Sequence, residues 1–185
     1  YVIPLEAIAL VLTAALLGGV VLVRSLDPIE VVSLRWPAAL RVVLAHPDQR
    51  VKTADARAVL PRFVSREVVV RQMANVAAVV AAFASGDLEL LGRALDDQIA
   101  EPARAGLMPG FPEAKAAALA AGALGGSISG AGPTSFYFAA DDSCAKVVAA
   151  AVVAAYRNVG MRCSARVAKV AAQGALRLPW NVDAA

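Results

Sequence analysis

Residues Ser127 to Thr134 read Ser-Ile-Ser-Gly-Ala-Gly-Pro-Thr, and no other stretch of the chain says as much about fold and chemistry. Gly130 and Gly132 can adopt positive φ and let a ligand or a neighbouring segment come close to the backbone, while Pro133 fixes the exit of the turn. A lone Gly-x-Gly pair is as often a plain tight turn. This one is preceded by a helix-like alanine run from Glu113 to Ala121 that ends at Gly122, and it is followed by a strand-like Ser-Phe-Tyr-Phe at Ser135 to Phe138.

Outward from that loop the chain parses as intermixed strands and helices. Gly19 to Val23 and Ile29 to Leu34 read as strands joined by a turn at Asp27-Pro28, and Leu40 to Ala45 reads as a third strand, ended by Pro47. Thr53 opens a short helix with Asp55 in its first turn, which stops at Pro61. Ser65 to Ala84 carries Val69, Met73, Val76, Val80 and Phe83 at helical spacing, with Ser65 as cap and Gly86 as stop. A further helix is expected over Leu88 to Ile99, begun near Asp87. After the loop come a strand at Ser135 to Ala139, a helix from Ser143 to Asn158 ending at Gly160, and a last strand at Cys163 to Val170. This order predicts an α+β fold, an antiparallel sheet covered by helices.

Composition narrows the function classes. The 185 residues suit one domain, and 59% of them are hydrophobic, with alanine and valine supplying much of the excess over ordinary usage of about 45 to 50%. A net charge of +3 is modest and its Lys and Arg are scattered, which argues against nucleic acid as a partner. Cys144 and Cys163 give neither a disulfide framework nor metal-ligand spacing, so no metal site and a reducing cytoplasm are expected. The single histidine, His46, reads as a strand-end residue rather than a catalyst. The apolar opening contains Pro4, Glu6 and Gly18-Gly19, which shorten its uninterrupted run below a membrane span, and it lacks a basic leader. Leu5 to Leu17 therefore reads as a helix buried against protein. It is apolar on all sides, so a second copy of the chain is its expected cover, giving a homo-oligomer.

Four ordered segments carry a resemblance. Leu44-Ala45-His46-Pro47 leads into Val51-Lys52-Thr53-Ala54-Asp55-Ala56-Arg57-Ala58-Val59-Leu60-Pro61; then come Ile99-Ala100-Glu101-Pro102-Ala103-Arg104, Leu107-Met108-Pro109-Gly110-Phe111 and the whole of Gly122 to Ala140. Together they resemble homoserine kinases of the GHMP small-molecule kinase superfamily, over about Leu16 to Gly174. The resemblance implies the GHMP C-terminal domain, a ferredoxin-like sandwich, as one domain. In that domain 1–17 is an apolar helix of altered sequence, 18–177 is homoserine-kinase-like and 178–185 is a tail. The family's glycine-serine phosphate loop has no counterpart here, so the chain is expected to be the C-terminal half alone. Its His-x-Asp-Asn run is replaced by Ile-Ala-Leu-Val at Ile8 to Val11.

By the same resemblance, Arg57 and Arg104 fall where the family binds the substrate carboxylate, a role suited to bidentate guanidinium forks. Thr53 matches a polar pocket residue, and Ser129, Gly130, Ala131 and Gly132 form the glycine loop, with Gly130 touching the substrate. A surface ion pair with Asp55 or Glu101 is the alternative for either arginine. No catalytic residue is assigned. The family moves the γ-phosphoryl of ATP, with Mg²⁺, onto the hydroxyl of L-homoserine in threonine biosynthesis, and this chain is expected to hold no cofactor itself. Two classes of function follow: the homoserine-binding half of such an enzyme, inactive alone, or a self-assembling structural scaffold derived from it, whose former interface has turned aliphatic at Ile8 to Val11.

Overall fold

Residues 20–170 are described by a computed structural model of the chain. The expected helix over Leu5 to Leu17 and the tail both lie outside the described residues.

The first two strands, β1 (Val20–Leu26) and β2 (Ile29–Leu34), form an antiparallel hairpin turning at Asp27-Pro28. The chain then lays down β3 (Arg41–Pro47), α1 (Thr53–Ala58), α2 (Arg66–Ser85), α3 (Leu88–Ala94) and α4 (Ala100–Arg104). A 3-10 turn at Ala105–Leu107 leads to α5 (Phe111–Ala120), β4 (Gly125–Ile128), β5 (Ser135–Ala139), α6 (Asp142–Asn158) and β6 (Cys163–Ala168). The main sheet has the order β4-β5-β3-β6 with every neighbouring pair antiparallel. That order, with one helical crossover before β4 and another before β6, is a split βαβ arrangement, the α+β class and topology expected.

Alternation along the strands divides the core. Val43, Ala45, Tyr137 and Ala139 face one way and pack with Ala114 and Ala118 of α5 and Val148, Val152 and Tyr156 of α6. Phe136 and Phe138 face the other way, with Val42 and Leu44 beside them, and meet Ala82 and Phe83 of α2 and Leu91 of α3. Helices thus cover both faces; α2 and α3 add a layer beyond the two of a simple ferredoxin-like sandwich. Trp36 stacks on Phe83 at 5.5 Å between centroids and meets Phe138 edge-on at 5.6 Å, which fixes that second layer. The buried Arg41 clamps the sheet to α6 with two hydrogen bonds to Asp142, at 2.8 and 2.7 Å. The same bonds hold the Asp142 carboxyl below the usual carboxylate range.

Local signals account for most boundaries. Ser65 Oγ accepts from Val68 N at 3.3 Å, and Gly86 closes α2 in the left-handed conformation at φ 75°. Asp87 caps α3 by accepting from Leu90 N at 2.9 Å. That helix stops at Ala94, short of the expected Ile99, because Asp97 starts a new one: its Oδ1 accepts from Ile99 N and Ala100 N at 2.8 and 2.9 Å. The strand β4, of which only Ser127 and Ile128 fall in the loop expected over Ser127 to Thr134, also lacks a sequence signature. Its glycines exist for closeness: a Cβ on Gly126 would sit 2.3 Å from the Phe136 carbonyl oxygen and 2.4 Å from Tyr137 Cδ1.

By length and composition α2 is the one described helix apolar enough to cross a membrane. Three of its polar side chains are nonetheless spent on the protein. Arg71 pairs with Asp96, Gln72 Oε1 accepts from Gln98 N at 2.9 Å, and Asn75 donates to the Asp96 carbonyl at 2.7 Å.

Candidate functional site

The glycine loop joins β4 to β5 and is held by its own backbone. Ser129 N donates to Thr134 O at 2.8 Å and Gly132 N to Ser129 O at 3.0 Å, while Gly130 and Gly132 take φ of 59° and 86°. The loop's exit is tied to β3, where His46 Nδ1 and Thr134 Oγ1 are 2.7 Å apart. His46 is exposed near the end of β3, where the sequence placed it. The two glycines differ in purpose. A Cβ at Gly132 would lie 2.8 Å from Met108 Sδ, so that glycine lets the loop rest on the buried Met108. One at Gly130 would meet nothing within 4 Å; this side of the loop is open.

Arg104, the last residue of α4, reaches into this arrangement. Its Nε donates to the Ala56 carbonyl of α1 at 3.0 Å and its Nη1 to the Gly130 carbonyl at 2.8 Å. One guanidinium therefore joins α1, α4 and the loop. Burial holds the Arg104 pKa below the usual arginine range; Asp97 opposes that shift and the charge of Arg57 adds to it. Arg57 and Arg104 are thus within electrostatic reach of each other. Neither forms an ion pair among the described residues, which corrects the alternative reading of pairs with Asp55 or Glu101. Thr53 and Arg57 are both exposed and four residues apart on α1, hence on the same side of that helix. Ser129 and Ala131 flank Gly130 and are partly buried.

The supporting polar cluster was not foreseen from sequence. Glu101 Oε2 accepts from Ser127 Oγ at 2.6 Å, and its other carboxylate oxygen pairs with Lys115 Nζ. Both charged side chains are largely buried, so α4, α5 and β4 are fastened together about one helical turn before Arg104. Asp97, accepting backbone N–H groups at the head of α4, fixes the other end of that short helix. The signal was a Glu three residues before Arg104 on the same helix, but its partners lie 14 and 26 residues away in sequence.

Chemically, the arrangement offers two neighbouring cations, a hydroxyl and an open glycine backbone. It suits a small anion, above all a carboxylate, taken up by guanidinium donors. Among the described residues no cluster of three or more His, Cys, Asp or Glu side chains could hold a metal ion.

Known proteins resemble the chain in sequence and in fold. Residues 79–158 match the family described as "GHMP kinases C terminal". Homoserine kinase from Chloroherpeton thalassium is 45% identical over 145 residues, covering 78% of this chain and 46% of that protein. The same enzyme from Chlorobaculum tepidum is 40% identical over 163 residues, covering 87% and 50%. The crystal structure of homoserine kinase from Cytophaga hutchinsonii superposes with a TM-score of 0.85 at 41% identity, over 88% of this chain and 51% of that one. The chain spans about half the length of the curated relatives it matches. From sequence and fold together, the chain carries a GHMP kinase C-terminal domain and is homologous to homoserine kinases.

Proposed function

We propose that this chain is the amino-acid-holding part of a cytoplasmic homoserine kinase, which transfers the γ-phosphoryl of ATP to the side-chain hydroxyl of L-homoserine in threonine biosynthesis. The observation that supports the reading is Arg104 bound to the carbonyl of the open Gly130 and within electrostatic reach of Arg57, with no carboxylate among the described residues ion-paired to either. The α-carboxylate of the amino acid supplies that partner. Thr53 adds a hydroxyl for the ligand's polar end, and Gly130 lets it approach the backbone. Glu101, Lys115 and Asp97 position α4, and hence Arg104, without touching the ligand.

Phosphoryl transfer depends on holding the phosphates and neutralising their charge. Among the described residues no group of three or more metal-ligating side chains gathers, and the sequence has no phosphate-loop run, so no residue here is assigned to Mg²⁺ or ATP. In this reading the chain binds and orients the acceptor, and the nucleotide is held by residues other than these. Assembly through Leu5 to Leu17 remains part of the proposal. The scaffold reading rests on Ile8 to Val11, which lie outside the described residues.

The test is an amide chemical-shift titration with L-homoserine. Shifts are expected at Thr53, Arg57, Arg104 and the 129–132 loop. A spectrum that does not respond, or responds only elsewhere, removes the substrate role.

A further inference from the structure

Three hydroxyls that the proposed activity does not use lie together in the core. Ser135, Tyr137 and Tyr156 are each wholly buried, and none of their side-chain oxygens makes a hydrogen bond among the described residues. Such groups are rare in folded proteins, because the water a hydroxyl gives up on burial has to be replaced. Ser135 and Tyr137 are two residues apart on β5 and so point to the same face of the sheet, the face that α6 covers with Tyr156. Burial raises the pKa of both phenols and the Ser135 hydroxyl opposes the rise in each. That hydroxyl therefore stands beside both phenol oxygens, although no two of the three meet in hydrogen-bonding geometry.

The rings are not free to turn toward other partners. Tyr156 lies against Gly110, where a Cβ would be 2.8 Å from its Cδ1, and Tyr137 lies against Gly126, where a Cβ would be 2.4 Å from its Cδ1. Each ring is seated on a glycine backbone, which fixes its oxygen within the apolar cluster that includes Val148 and Val152. The polar groups nearest to the phenols are already engaged. Cys163 Sγ donates to the Ser164 carbonyl at 3.4 Å, and the two carboxylate oxygens of Glu101 are taken by Ser127 and Lys115.

We propose that Ser135, Tyr137 and Tyr156 form a binding site for a single water molecule that bridges all three hydroxyls. Each hydroxyl both donates and accepts, so a neutral molecule with two donors and two lone pairs satisfies the set, and about three partners is usual for a buried water. An ion would be left in the core without a counter-charge, since Glu101 and Lys115 neutralise each other. Ser135 directly follows Thr134, so the water ties the strand that leaves the glycine loop to α6.

The test is oxygen-17 magnetic relaxation dispersion, which counts long-lived waters in solution and is blind to the exchange of hydroxyl protons. The whole chain is compared with Ser135→Ala/Tyr156→Phe, which leaves Tyr137 as the one remaining hydroxyl of the three. The double variant should lose about one long-lived water while its far-ultraviolet circular dichroism stays that of the parent. Equal counts in the parent and the folded variant overturn the proposal. A high-resolution crystal structure of the parent decides the matter without any variant: a water is expected at about 2.5 to 3.0 Å from each of the three oxygens. Hydroxyls bonded directly to one another, with no water among them, overturn it.

Discussion

Arg104 Nη1 lies 2.8 Å from the carbonyl oxygen of Gly130, although the two residues belong to different elements 26 positions apart. The same guanidinium is 3.0 Å from the Ala56 carbonyl through Nε. Arg104 is therefore both a cation facing the site and the pin that sets the loop. Arg104→Lys keeps the charge but not the planar fork. It is expected to fold, to lose order in residues 129–132, and to bind homoserine at least about tenfold more weakly, since a lost hydrogen bond to a charged group costs about 1.5 to 3 kcal/mol. Backbone amide relaxation and a homoserine titration on the same sample check both effects.

Gly126→Ala and Gly130→Ala should separate structure from site. At Gly126 the new methyl group collides with the backbone of β5, and overpacking of this kind costs about 1 to 3 kcal/mol. At Gly130 there is open space, but φ of 59° strains any residue with a Cβ by roughly 1 kcal/mol. Denaturant melts should show Gly126→Ala as the more destabilised, while titration shows Gly130→Ala as the one that loses ligand at little cost to the fold.

Why some of this was legible in sequence, and some not, follows from the range of the interactions. Ser65, Gly86 and Asp87 act within four residues of themselves, and their caps stand where the pattern places them. Arg57, Arg104 and Gly130 could be named as one site only through the resemblance, since the contacts joining them span 26 to 48 residues. Gly125-Gly126 gave no strand signal because their function is the absence of a side chain against Phe136 and Tyr137. Glu101 and Lys115 were invisible as partners because neither the helix period nor the strand alternation relates them. The second helical layer was likewise hidden, since Phe83 reads as core without naming the sheet face it meets.

Alkaline pH should unfold the domain through its buried phenols. Burial raises the pKa of Tyr137 and brings Tyr156 up to about 12, while the Ser135 hydroxyl opposes both shifts. For a group whose pKa is raised by folding, the stability it contributes is complete below the unfolded value of about 10 and is lost as pH climbs toward 12. The ionisation of these tyrosines, followed at 295 nm, should therefore coincide with loss of the far-ultraviolet circular dichroism. Tyr156→Phe should weaken that alkaline dependence. Ionisation of both phenols in a chain that stays folded would contradict the burial of Tyr137 and Tyr156 between the sheet and α6.

The central claim is that Arg57 and Arg104 receive the carboxylate of an amino acid beside Gly130. It is tested most directly by calorimetry on the chain and on Arg57→Ala, each titrated with L-homoserine and with the amino diol in which the carboxylate has become a hydroxymethyl group. The account predicts that Arg57→Ala weakens homoserine by about ten- to a hundredfold, the equivalent of 1.5 to 3 kcal/mol, and leaves the amino diol, already weak, unchanged. Equal binding of homoserine by parent and variant, or an equal loss for both ligands, would contradict it.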